Sequence, residues 1–210
     1  MRGRFITFEG IDGAGKSSHI DAVRARLEAE GIEVVSTREP GGTTLGESIR
    51  ALFLAHSMTP ETETLLVFAA RNEHLRTVVW PALARGAWVL CDRFTDATFA
   101  YQGGGRALGA AHVQAVADIV HPGFAPDLTL LFDLPPETAQ TRIVERQALD
   151  RIESEAAAFH ERVRESYLER AQKEPNRIAV FDSRLAKEEV RAQVLARVGV
   201  LLRTQGAGSS

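Results

Sequence analysis

The chain has 210 residues, enough for one substantial core, and its 44% apolar and 25% charged content is that of a soluble globular protein. A net charge of −3 gives no bulk attraction to nucleic acid or to an anionic membrane. The single cysteine, Cys91, excludes an intrachain disulfide and fits a reducing, cytoplasmic setting; no apolar run reaches the length of a membrane span, and Glu9 and Asp12 interrupt the start that a secretory signal needs.

Apolar runs then alternate with helical periods along the chain. Residues 5–8 form a short apolar run before a glycine-rich turn and read as a buried strand. Ile20, Val23 and Leu27 recur at helical spacing, with Gly31 as the stop. Residues 33–36 read as a second strand, about 44–56 and 61–85 as helices, and 88–91 as a strand ended by Asp92. A helix over about 110–120 precedes the apolar strand 128–132, which Asp133 ends; Pro135 and Pro136 open the next helix, proline being tolerated in a first turn. A long charged helix is expected over about 154–173, a last strand over 178–181, and a final helix striped by Val190, Val194 and Val198. Residues 1–203 thus read as one domain, and 204–210 as a small, polar, flexible tail. Continuous apolar strands separated by helices predict an α/β fold: a parallel sheet of five strands with helices on both faces and ligands at the carboxyl ends of the strands.

The strongest motif sits just after the first strand. Residues 10–17 read Gly-Ile-Asp-Gly-Ala-Gly-Lys-Ser, a full match to the phosphate-binding P-loop pattern between a strand and an amphipathic helix. Its glycines let backbone N–H groups turn toward a phosphate, and the helix that starts there adds its partial positive charge. Gly10, Gly13, Ala14, Gly15, Lys16, Ser17 and Ser18 are therefore candidates for binding a nucleoside triphosphate, with Lys16 on the β and γ phosphates and Ser17 on magnesium. A regulatory GTPase needs Asn-Lys-x-Asp, but Asn72 and Asn176 are the only asparagines and neither precedes a lysine. A motor-type ATPase usually carries Asp-Glu after a buried strand, whereas Asp92-Arg93 and Asp133-Leu134 stand at those places. Arginine directly after a strand suits a second anion, and Arg38 and Arg93 both follow strands at the ligand-bearing edge.

Together these segments resemble one family. The P-loop with its preceding Phe8-Glu9, the run Thr37-Arg38-Glu39-Pro40-Gly41-Gly42-Thr43, Asp92-Arg93-Phe94, Ala100-Tyr101-Gln102 with Gly103 to Gly105, and Asp150-Arg151-Ile152-Glu153 occur in thymidylate kinase order and spacing. The resemblance implies a P-loop NTPase fold and transfer of the γ-phosphoryl of ATP, with Mg2+, to thymidine 5′-monophosphate. It implies that Asp12 binds the 3′-hydroxyl of the sugar and helps organise magnesium, with Asp92 as a further metal candidate, and that Arg38 and Arg93 bind the acceptor phosphate. It places Phe68 on the thymine ring, where the residue types alone would favour a core phenylalanine, and Arg71 on a thymine carbonyl. Thr98 and Gln102 fall at the base edge, and Tyr101 packs where a ribose 2′-hydroxyl would sit. Arg142, Arg146 and Arg151 fall in or beside a lid at about 142–155, with Arg142 on the ATP side. Gly13 stands where some relatives carry an arginine, so this chain resembles the bacterial subgroup whose lid supplies the catalytic arginine, either Arg146 or Arg151. Ala97 and Phe94 depart from the commoner serine and tyrosine or histidine. The family is typically homodimeric.

Overall fold

A computed structural model describes residues 2–144 and 150–206, in which β1 (Phe5–Glu9), β2 (Val34–Arg38), β3 (Trp88–Asp92), β4 (Leu128–Asp133) and β5 (Ile178–Asp182) form a five-stranded sheet in the order β2–β3–β1–β4–β5. Every pairing is parallel. The most apolar runs take the inner places: β1 is wholly buried and flanked by β3 and β4, while β2 and β5 are the half-exposed edges. Successive side chains of a strand face opposite ways, and the core follows that alternation. Phe5, Val89 and Cys91 pack with Leu75, Val79 and Leu83 on one face. Ile6, Phe8 and Leu90 pack on the other with Val23 and Leu27 of α1 (Lys16–Ala29) and with Val190, Val194 and Val198 of the last helix. Both faces of the sheet are therefore covered, as the uninterrupted apolar strands require.

Between the strands run α2 (Thr44–Ala55), α3 (Pro60–His74), α4 (Trp80–Ala84), α5 (Thr95–Thr98), α6 (Ala110–Val120), α7 (Pro136–Val144) and α8 (Ala157–Lys173), and α9 (Lys187–Gly206) follows β5. The helix ends follow local chemistry: the Thr43 hydroxyl accepts from Gly46 N–H to open α2, and the Thr59 hydroxyl accepts from Thr62 N–H ahead of Pro60 to open α3. The helix expected from 154 starts instead at Ala157, because the Asp150 carboxylate accepts from the N–H groups of Ile152 and Glu153 (both 2.8 Å) and closes a turn there. α9 continues past Thr204 to Gly206, so the expected tail begins as helix, and 207–210 lie outside the described residues.

One element had no sequence counterpart. α5 runs into a wide π-helical turn, Phe99–Gly105. Its glycines carry no helical signal, but they allow α8 to lie directly against the turn: a Cβ on Gly105 would stand 2.6 Å from the Phe159 ring, and one on Gly104 would stand 2.7 Å from Ser166 Cβ. Such turns concentrate at functional sites, and this one carries Tyr101 and Gln102.

Candidate active site

The loop leaving β1 makes a cradle at the carboxyl edge of the sheet. Gly10 has φ +128°, and a Cβ there would meet the Phe132 carbonyl oxygen at 2.4 Å, so a side chain fits neither the conformation nor the space. Lys16 is buried and donates to the carbonyls of Gly10 (3.1 Å) and Ile11 (3.3 Å). Burial and the nearby Arg93 charge lower the pKa of its ammonium, while Asp92, Asp12 and Glu9 oppose that shift. A cavity of about 490 Å³ opens over the loop, lined by residues 12–19 together with Asp92, Arg142, Ser183 and Lys187. Arg142 bridges its two sides by donating to the carbonyls of Gly13 (3.4 Å) and Ser183 (3.2 Å). Ser17 and Asp92 share this wall, and the buried Oδ1 of Asp92 has no hydrogen-bond partner among the described residues. A hydroxyl and a carboxylate oxygen beside a phosphate site suit magnesium, which takes few protein ligands and keeps its remaining places for water and phosphate.

A second, narrower cavity of about 160 Å³ adjoins the first, and Asp12 lines both. Between them stands Arg93, a non-glycine residue at φ +70° that the chain holds in the left-handed region. Its Nη2 donates to Asp12 Oδ1 (2.9 Å), the Tyr101 hydroxyl (3.1 Å) and the Gly10 carbonyl (3.3 Å). Burial alone would raise the Asp12 carboxyl, but the charges of Arg93 and Lys16 hold it well below the usual carboxylate range. Arg50 of α2 lines the same cavity and donates to the Pro40 carbonyl (3.1 Å). Burial and the charges of Arg38 and Arg93 push its pKa below the ordinary arginine value. Like charges gathered at the mouth of a cavity make it a seat for an anion.

The far wall is built on Arg71. Its Nε donates to Glu39 Oε2 (2.6 Å) and its Nη2 to the Thr98 hydroxyl (3.0 Å). His74 Nδ1 meets the other Glu39 oxygen at 2.8 Å, and its Nε2 lies 2.7 Å from the Thr37 hydroxyl. Although burial opposes it, Arg71 and His74 keep the Glu39 carboxyl below its ordinary pKa. With two of its nitrogens engaged, Arg71 Nη1 is buried with no partner among the described residues, in a cavity whose wall also holds Thr98, Tyr101 and Gln102. That leaves one buried donor of a cavity-lining residue unused.

Three expectations are placed differently, and a fourth lies outside the described residues. Arg38 sits exposed on the rim, paired with Glu47 (2.8 Å), because it ends an edge strand; Arg50, one turn along α2 from Glu47, takes the wall position. Phe68 is buried off the cavity in a cluster with Phe99, Val113 and Ala117, and its ring stands 4.6 Å from the Arg71 guanidinium carbon; Val67 and Phe53 line the cavity instead. Arg151 is kept from the P-loop by a 2.6 Å bond to Glu63 and by a bond to the Phe53 carbonyl (3.0 Å), whereas its neighbours Asp150, Ile152 and Glu153 do line the acceptor cavity. Arg146, with residues 145–149 of the expected lid, lies outside the described residues. Arg50, Phe53, Glu63 and Ser183 went unread in the sequence, because they come from elements that meet only after folding; Glu39 stood inside a quoted motif, but not as the partner of Arg71.

Behind Arg93, Glu9 is fully buried, accepting from Phe94 N–H (2.7 Å) and the Tyr167 hydroxyl (2.8 Å). Burial first, and Asp96 second, push its pKa up from 4.5 to about 8, while Tyr167 and Arg93 act the other way. Below pH 4.5 both the folded and unfolded forms hold this proton; between 4.5 and about 8 only the folded form does, so its contribution to stability is lost as pH rises through that window. Glu9→Gln removes the titration. Thermal melts from pH 5 to 8.5 should show a shallower loss of stability for the variant than for the parent chain; parallel curves would refute the buried proton.

Residues 8–194 match the family model described as thymidylate kinase. The chain is 55% identical over 195 residues to the thymidylate kinase of Methylobacillus flagellatus, covering 93% of this chain and 96% of that one. It is 56% identical over 200 residues to the thymidylate kinase of Bordetella petrii, covering 95% and 97%. A solved structure of thymidylate kinase from Ehrlichia chaffeensis superposes with a TM-score of 0.77 at 33% identity, over 95% of this chain and 99% of that one.

Proposed function

The chain belongs to the thymidylate kinase family, and from that premise we propose how its two cavities divide the reaction. It is a nucleoside monophosphate kinase with a P-loop NTPase fold, and it transfers the γ-phosphoryl group of ATP to thymidine 5′-monophosphate in deoxythymidine triphosphate synthesis. The observation that carries the residue-level reading is the meeting of the two cavities at Asp12, with Lys16 and Arg93 beside it. ATP takes the P-loop side, with Arg142 over its nucleoside. The thymidylate takes the narrower side, its 5′-phosphate toward Arg93 and Arg50 with Arg38 behind them, its sugar against Asp12 and Tyr101, and its base against Arg71, Thr98 and Gln102.

In that arrangement an oxygen of the acceptor phosphate attacks the γ-phosphorus, the bond to the bridging β-γ oxygen breaks, and ADP and thymidine diphosphate result. The attacking oxygen is already anionic, so no general base is needed, and catalysis is positioning and charge neutralisation. Lys16 leaves its carbonyl partners for the β and γ oxygens, and Arg93 holds the attacking phosphate in line. Ser17 and Asp92 would hold Mg2+, which neutralises charge on the β and γ phosphates. Arg146 is the lid cation for the transferring group, and Arg151, anchored on Glu63, fixes the lid's base. A coupled ADP-release assay with ATP, magnesium and a panel of monophosphates and nucleosides tests the reading. Selective turnover with thymidylate supports it; turnover confined to another acceptor would discard the base-side assignments.

Tyr101 lines the acceptor cavity with its ring against Phe159 and Tyr167. Tyr101→Ala opens room for a 2′-hydroxyl and is expected to reduce discrimination against the ribonucleotide about tenfold; an unchanged ratio of kcat/KM values would remove steric exclusion from its role. Leu45 and Leu52 on α2, Leu65 on α3 and Ile119 on α6 are exposed, by 50% or more, and line neither cavity. They support a homodimer built through these helices, which light scattering reads as mass. The free, buried thiol of Cys91 suits a cytoplasmic setting, and no helix among the described residues is long and apolar enough to cross a membrane.

A further inference from the structure

Glu63 lines neither cavity, yet it is wholly buried in the first turn of α3, where a carboxylate is costly unless its oxygens are fully used. Its partners are all donors. Oε1 accepts from Arg151 Nη1 (2.6 Å) and pairs with Arg106 Nη2 (3.1 Å); Oε2 accepts from Arg106 Nε (3.2 Å) and from the side-chain amide of Gln102, Nε2 (3.1 Å). Arg106 is itself held by Glu155 and stacked on Phe159.

Gln102 is the only one of these partners on the acceptor cavity wall, and an amide has two faces of opposite sense. A carboxylate set between two guanidiniums offers lone pairs only, so the amide must turn its NH2 toward Glu63. Its Oε1, which has no hydrogen-bond partner among the described residues, is then left as an acceptor at the cavity. On the same wall Arg71 Nη1 is a buried donor with no partner among the described residues. A donor and an acceptor on residues of one cavity wall match a pyrimidine edge that carries a carbonyl next to a ring N–H, as in thymine and uracil. Cytosine presents the reverse, an amino group next to a bare ring nitrogen, and would set donor against donor and lone pair against lone pair.

We infer that Glu63 is a specificity-determining positioning residue: by fixing the orientation of the Gln102 amide, it makes the acceptor cavity select a base with an N3–H and reject cytosine. The inference rests on the proposed placement of the base at Arg71 and Gln102. Its test is Glu63→Gln, whose own amide allows Gln102 to turn over, with kcat/KM measured for thymidylate, deoxyuridylate and deoxycytidylate. The ratio of thymidylate to deoxycytidylate is expected to fall roughly 10- to 100-fold, the ratio of thymidylate to deoxyuridylate to stay unchanged, and Glu63→Asp, still an acceptor only, to keep the parent selectivity. In a Gln102→Ala background, Glu63→Gln should have no further effect on the ratio. A uniform loss with all acceptors, or a ratio that falls equally without Gln102, would overturn the inference. Should the Glu63 variants fail to fold, the parent chain carries the test through its Gln102 side-chain NH2 resonances. These must stay protected from exchange, and little shifted, when thymidylate binds, and a large shift would overturn it. Absence of thymidylate turnover by the parent chain would instead refute the base placement itself.

Discussion

Arg93→Ala is expected to lower kcat about a thousandfold and to raise KM for thymidylate, in a chain that still melts cooperatively but at a lower temperature, because the pair with Asp12 is lost. The magnitude is that of removing a preorganised donor from a water-poor site where charge is being transferred. The position gives the reason. Arg93 follows β3 directly, is held at φ +70°, and places Nη2 within 2.9 Å of Asp12 at the meeting point of both cavities. Alanine keeps the same backbone strain, since it too has a Cβ, so the change deletes the guanidinium without releasing the turn. It also frees Asp12 from the charge that holds its carboxyl low, leaving an anion beside the path of an anionic acceptor. Arg93→Lys should recover only part of the rate, because an ammonium cannot reach Asp12, Tyr101 and a phosphate in one plane. Steady-state kinetics with a parallel melt check this, and a near-normal kcat would remove Arg93 from the transfer step.

Lys16→Ala comes next, with an expected fall in kcat of roughly two to three orders of magnitude. The ammonium is bonded to the Gly10 and Ile11 carbonyls and destabilised by burial and by Arg93, so a polyphosphate offers it a better partner than the loop does. Loss of the charge should fall mainly on kcat, because the backbone N–H groups of the loop and the helix N-terminus still bind the nucleotide. Titration of ATP by calorimetry separates the two effects. Binding weakened only severalfold with kcat collapsed is the expected result, and an active Lys16→Ala chain would overturn the role.

How legible the molecule was depends on the distance over which each feature is made. The P-loop could be read because eight contiguous residues carry its chemistry and the strand and helix on either side are local signals. The inner strands could be read because burial on both faces leaves runs such as Phe5-Ile6-Thr7-Phe8 without a charged residue. α3 shows the opposite case: Leu65, Leu66, Val67, Phe68, Ala69 and Ala70 are apolar around the whole helix, so no period says which side meets the ligand. Val67 and Phe68 stand about 100° apart on that helix, and packing against Phe99 and Val113 turned Phe68 away from the cavity. Arg38 and Arg50 differ in the same way. A strand end next to a glycine turn marks the first as a site residue, but the edge position of β2 leaves it on the rim while α2 carries the second inward.

The sequence by itself determined the parallel α/β layout, the phosphate cradle with Lys16, and Arg93 as a candidate anion site, because each follows from a contiguous pattern or from its place at a strand end; Asp12, Arg71 and Tyr101 were marked by the family resemblance. Only the tertiary structure decided which of two neighbouring side chains faces the cavity, that residues 99–105 form a π-helical turn under α8, and that Glu63 gathers Gln102, Arg106 and Arg151. Those outcomes depend on surfaces brought together from distant parts of the chain, where close approach and the demand that every buried charge be paired select among arrangements that local preferences leave equal.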